Sequence, residues 1–104
     1  MKNPISKRYI KWQKDKLDDN EYYYKLLAKV ISQIKNKLSY NPESIKRMMR
    51  GRSLKGAAQY GDDSFLSTDL EKMVLEEVID ILNYTQMSEF RGSLGHGKGT
   101  EATQ

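Results

Sequence analysis

Cysteine is absent from the 104 residues, which excludes a disulfide framework and thiolate-bound zinc and fits a reducing compartment. Histidine occurs once, as His96 in the glycine-rich stretch GSLGHGKG, where it reads as an inert residue. With one His and no Cys, neither a Ser/His/Asp nor a Cys/His nucleophilic set can be assembled. The two prolines each follow an asparagine (Asn3-Pro4 and Asn41-Pro42) and so open helices rather than interrupt them. Gly92, Gly95, Gly97 and Gly99 precede no helical pattern, so no phosphate loop is present. Apolar residues make up only 38% of the chain, and no run approaches the roughly 20 residues of a membrane span. There is no apolar leader at the N-terminus. These absences predict a soluble, cytoplasmic protein with no membrane partner and a core that is small or completed by association.

Charge is plentiful and unevenly placed. Residues 2–16 hold six Lys/Arg against Asp15 alone, and residues 43–55 hold five (Lys46, Arg47, Arg50, Arg52, Lys55) against Glu43. Residues 62–80 reverse the balance, with seven Asp/Glu against Lys72. Such blocks either pair with each other, within or between chains, or receive an anionic ligand.

Residues 68–91 (TDLEKMVLEEVIDILNYTQMSEFR) carry the longest helical pattern. Thr68 and Glu71 have capping-box spacing, and Gly92 supplies a stop. At about 100° per residue, Leu70, Val74, Val78 and Ile81 share one side, with Leu75, Ile79 and Leu82 adjoining. That arc is wider than a surface helix needs, so this helix is expected to be central. Three more helices precede it. The first starts at Asn3-Pro4 and carries Ile5, Tyr9 and Trp12, with Leu17 extending the stripe. The second follows a capping box at Asp18 and Glu21 and carries Tyr23, Leu27, Val30, Ile31, Ile34 and Leu38. The third starts at Asn41-Pro42, carries Ile45, Met48, Met49 and Leu54, and is expected to break near Gly51. Tyr22, Tyr23 and Tyr24 face three directions, so at least one ring must be exposed or at an interface. Residues 60–67 read as a loop. No strand periodicity, repeat or heptad run is visible. The expectation is an all-α domain of four helices over residues 1–92, with a disordered tail over 93–104.

Opposite the apolar arc stand Glu76, Asp80 and Asn83, with Glu77 on the flank. Glu77 and Asp80, three residues apart, present neighbouring carboxylates, which repel unless a cation lies between them. Two carboxylates plus water suit Mg²⁺, usually completed by phosphate; a solvated acidic face is the plainer reading of the same spacing. Glu76 reads as a surface or salt-bridged residue, and Asn83 as a base or sugar contact or a plain surface amide.

The segments GRSLKGAAQYGDDSF and LEEVIDILNYTQM resemble the small phage- and prophage-type members of the MazG-like family of all-α nucleotide pyrophosphohydrolases. The matching positions are Gly51, Arg52, Lys55, Tyr60 and Gly61, then Glu76, Glu77, Asp80, Asn83 and Tyr84, within residues 50–90. The resemblance implies a four-helix core, dimeric or higher, that binds Mg²⁺ and cleaves a nucleoside triphosphate between its α and β phosphates. Carried over, it makes Glu77 and Asp80 the metal-binding, catalytic carboxylates, with Glu76 a further metal candidate. Asn83, Arg52, Lys55 and Tyr60 become substrate contacts.

The chain also departs from that pattern. The family's second acidic pair, Glu-x-x-Glu on the preceding helix, is replaced here by Glu43 followed by Lys46, and the next acids are Asp62 and Asp63 in the loop. Lys46, Arg47, Arg50 and Arg52 can instead bind phosphate directly, giving nucleotide binding without turnover. The expected partners are therefore a nucleotide or other phosphorylated small molecule and further copies of the chain. A different class of function is a small helical phage or prophage interaction protein that binds a host protein or nucleic acid. The basic helices with Tyr9, Trp12 and the tyrosine run allow the latter, although no nucleic-acid-binding motif accompanies them.

Overall fold

The computed structural model describes residues 4–94, and nearly all of them are helical. Four α-helices follow in order: α1 (Ile5–Leu17), α2 (Asn20–Tyr40), α3 (Pro42–Tyr60) and α4 (Leu70–Ser93), with a 3₁₀ turn at Ser64–Ser67 before α4. No strand occurs among the described residues, and the fold is all-α. His96 and nearly all of the expected tail lie outside the described residues.

Short polar side chains set the helix starts. The Pro4 carbonyl accepts from the N–H groups of Lys7 and Arg8, which places Pro4 just before α1 rather than at its first position. α3 starts as expected: Asn41 Oδ1 accepts from Ser44 N–H at 3.2 Å, and Pro42 occupies the first turn. The two capping boxes do not form. Asp19, not Asp18, caps α2 by accepting from Glu21 N–H at 3.0 Å. Asp69, not Thr68, caps α4 by accepting from Lys72 N–H at 3.1 Å. The Thr68 hydroxyl is turned back to the Ser64 carbonyl at 2.9 Å, so the 3₁₀ turn claims it first.

α3 runs unbroken through Gly51 and Gly56, correcting the expected break. Glycine lowers helix propensity by about 1 kcal/mol but, unlike proline, deletes no backbone hydrogen bond. The helix stops at Gly61, whose φ of 99° lies where only glycine sits without strain. α4 likewise passes Gly92 and ends at Ser93.

The described residues pack as two compact units: residues 4–30 together with 79–94, and Ile31–Val78. Helices α2 and α4 each contribute to both. The first unit has a core. Leu26, Val30 and Phe90 are buried around a fully buried amide, Gln86. Tyr9 and Trp12 of α1 close on Phe90, with ring centroids 5.6 and 5.5 Å away. Of the tyrosine run, Tyr22 turns inward, while Tyr23 and Tyr24 are exposed.

The second unit has no buried residue among those described. Leu70, Val74 and Val78, the inward side expected of α4, are 47%, 63% and 42% exposed. The expected arc is not the covered one: Leu75 and Ile79 are exposed as well, and the residues α4 buries are Gln86 and Phe90. Only the part of α4 beyond Ile79 is covered by other helices of the chain.

Candidate functional site

Along one face of α3, Met48, Gly51, Arg52, Lys55, Gly56, Gln59 and Tyr60 line an open cleft of about 510 Å³. Their spacing is helical, so the cleft is a consequence of the α3 sequence rather than of distant loops. Arg52, Lys55 and Tyr60, three of the expected substrate contacts, are therefore brought together. Among the described residues neither Arg52 nor Lys55 takes part in an ion pair; the one ion pair within Ile31–Val78 is Lys46–Glu43, at 3.4 Å. Arg52 offers a planar fork that matches two phosphate oxygens, and Lys55 adds a mobile point charge. Gly51 and Gly56 leave the backbone bare, with no heavy atom within 4 Å of the position a Cβ would take. A second cleft of about 410 Å³ shares Gly56 and Tyr60 and adds Ser53, Asp62 and Phe65 to its lining.

The carboxylates stand elsewhere. Glu76, Glu77 and Asp80 are all exposed on α4, and Glu76 and Glu77 do not line either cleft. Asp62 and Asp63 occupy the turn after α3, where the Asp63 carbonyl accepts from Leu66 N–H at 3.0 Å. Among the described residues no group of three or more Asp, Glu or His gathers that could hold a metal ion. Glu77 and Asp80 thus offer at most a carboxylate pair, which Mg²⁺ would complete with water and a bound phosphate.

Asn83 belongs to a different constellation. Its side-chain oxygen accepts from Gln13 Nε2 at 2.6 Å, and its carbonyl accepts from the Tyr9 hydroxyl at 3.3 Å. Gln13 Nε2 also lies 2.9 Å from Gln86 Oε1 and 3.1 Å from the Tyr9 oxygen. An amide nitrogen has two hydrogens, so Gln13 serves two of these three acceptors at a time. Gln86 Nε2 in turn donates to the Tyr22 hydroxyl at 3.4 Å, and that hydroxyl donates to Glu89 at 2.6 Å. Lys29 completes the chain with a 3.0 Å ion pair to Glu89. The network joins α1, α2 and α4, and of the Asn83 side chain it leaves the amide nitrogen without a partner among the described residues.

Burial first, and then the bond to Glu89, pushes the Tyr22 hydroxyl up to about 12. Burial likewise raises Tyr9. For Glu89, burial acts upward but is outweighed by the Tyr22 hydroxyl and Lys29, so its carboxyl sits below its ordinary value. This network was not anticipated from the sequence. A signal existed: Leu82, Gln86 and Phe90 recur at helical spacing, placing an amide on the apolar stripe of α4.

Comparison with protein-family models, with curated proteins and with solved structures found no match.

Proposed function

We propose that the chain binds a phosphorylated small molecule, a nucleotide in the first instance, on the basic face of α3, and that it does so as an assembly of more than one copy. The observation carrying this reading is that Arg52, Lys55 and Tyr60 line one open cleft and that neither cation is paired among the described residues. Two unneutralised cations one helical turn apart attract phosphate, and the Tyr60 ring, 68% exposed, offers a stacking surface for a base. The MazG-like resemblance of Gly51, Arg52, Lys55 and Tyr60 supports the same face. Since Glu43 and Lys46 stand where the resembled family has its second acidic pair, binding is proposed without hydrolysis. Assembly is supported by the lack of any buried residue among those described in Ile31–Val78.

One observation favours a second reading, a helical interaction protein that binds a host protein or nucleic acid: the open apolar face of α4 around Val74 and Leu75, 63% and 59% exposed. Melting with a panel of nucleotides and inorganic phosphate, with and without Mg²⁺, separates the two. A ligand at 100 times its Kd adds about 2.7 kcal/mol to stability. Nucleotide-dependent stabilisation that disappears in Arg52→Ala and Lys55→Ala is the expected result. A flat panel sinks the proposal and leaves the second reading.

A further inference from the structure

The unit Ile31–Val78 combines two features. Its large apolar side chains are open: Met48 and Leu54 of α3 are 58% and 75% exposed, and Val74, Leu75 and Val78 of α4 are 63%, 59% and 42% exposed. It also carries both signs of charge in separate blocks, Lys46 to Lys55 on α3 and Asp62 to Glu77 in the following turn and α4. Yet no ion pair links the two blocks among the described residues. On α3, Arg47, Arg50 and Leu54 recur at helical spacing; on α4, Glu71, Leu75 and Val78 do the same. Leu54 of α3 is therefore flanked by basic residues, and the apolar stripe of α4 carries acid at its edge.

We infer that this unit docks on the same unit of a second copy, with the basic α3 edge of each chain against the acidic α4 edge of the other. The inference rests on the assembly proposed above and adds the face and its pairing rule. A two-fold contact demands a self-complementary surface, and a surface bearing both an unpaired basic edge and an unpaired acidic edge beside open apolar side chains is self-complementary. A partner of one charge would leave the other edge unanswered. The size also suits a second copy. Stable pairs bury about 800 Å² and 20–30 residues on each side, a demand the open α2, α3 and α4 segments of a 48-residue unit can meet. Helices in proteins are held mainly by tertiary packing, and α3 buries no residue, so docking should order this unit further.

Sedimentation equilibrium of the full chain tests this, with the double variants R47E/R50E and E71K/E77K, all at exposed positions outside the proposed cleft. Wild type at about 50 µM should run at twice 12.1 kDa. Each double variant alone, with like charges facing across the contact, should associate at least about tenfold more weakly. An equimolar mixture of the two should recover the dimer, because one variant then carries two acidic edges and the other two basic ones. A wild-type monomer, helical or not, overturns both the assembly and this face. A dimer insensitive to both reversals, or a mixture that fails to recover, overturns the face alone. The nucleotide panel at Arg52 and Lys55 is a separate readout, and its outcome moves neither result.

Discussion

The chain contains two phenylalanines, and their surroundings differ enough to test where its stability resides. Phe90 is 9% exposed and packs against Tyr9 and Trp12; Phe65 is 57% exposed and has no aromatic neighbour among the described residues. Truncating a buried Phe to Ala costs about 3–5 kcal/mol, of which each aromatic pair contributes about 0.5–1.5. Alanine's better helix propensity returns a few tenths of a kcal/mol. Phe90→Ala should therefore lose about 3–4 kcal/mol, a large part of the roughly 5–15 kcal/mol of a whole domain. Phe65→Ala should stay within about 0.5 kcal/mol. With urea slopes of about 1–3 kcal/mol/M, the Phe90 variant should shift its midpoint by more than about 1 M at fixed protein concentration. Trp12 is the single tryptophan and sits 5.5 Å from Phe90, so its fluorescence reports the transition directly. Equal shifts for the two variants would refute the placement of the core.

Other outcomes follow from single contacts. Asn41→Ala removes the α3 cap and should cost about 1 kcal/mol in urea unfolding, while Asn41→Ser should be nearly neutral. Gly51→Ala meets nothing within 4 Å and should raise stability by about 0.5–1 kcal/mol in the same assay, since Gly51 is helical. The pH profile should have two arms. Glu89 has a depressed folded pKa, so its contribution is present above the unfolded value of 4.5 and lost as pH falls below it. Tyr22 is raised from 10.0 to about 12, so the folded chain binds the extra proton and stability falls as pH rises through that interval. Thermal melts should show Glu89→Gln flattening the acid arm and Tyr22→Phe the alkaline one.

Much of the fold is legible in the residues because its signals are local. Asn41-Pro42 combines a side-chain acceptor with a pre-set φ, and nothing nearby competes for either. At residues 68 and 69 two capping-competent side chains are adjacent, and a 3₁₀ turn that no periodicity announces decides between them. Arg52, Lys55 and Tyr60 share a face for a local reason, a continuous α3, which Gly51 and Gly56 argue against. Asn83 is not legible, because its partner Gln13 is a lone amide on a charged helix some seventy residues away. Nor does periodicity say whether an apolar arc is covered. It marks Val74 as seeking cover, and only packing shows that the chain leaves Val74 open and buries Phe90 instead.

The continuity of α2 and α4 has a consequence for the order in which the chain should loosen. A helix already nucleated extends at little cost per residue, whereas a new one must first fix several residues for a single hydrogen bond. The ends of α2 and α4 within Ile31–Val78 extend helices whose other halves hold Leu26, Val30 and Phe90 in a core. α3 has no such anchor: it lies wholly within that unit, buries no residue and contains Gly51 and Gly56. On dilution below the dissociation constant of the dimer, α3 should lose amide protection first, and residues 81–90 should lose it last. Hydrogen exchange at two protein concentrations reads this directly. Protection in α3 that equals that of residues 81–90 and does not change with concentration would mean that α3 is held by its own chain, and the coupling of its order to assembly would be wrong.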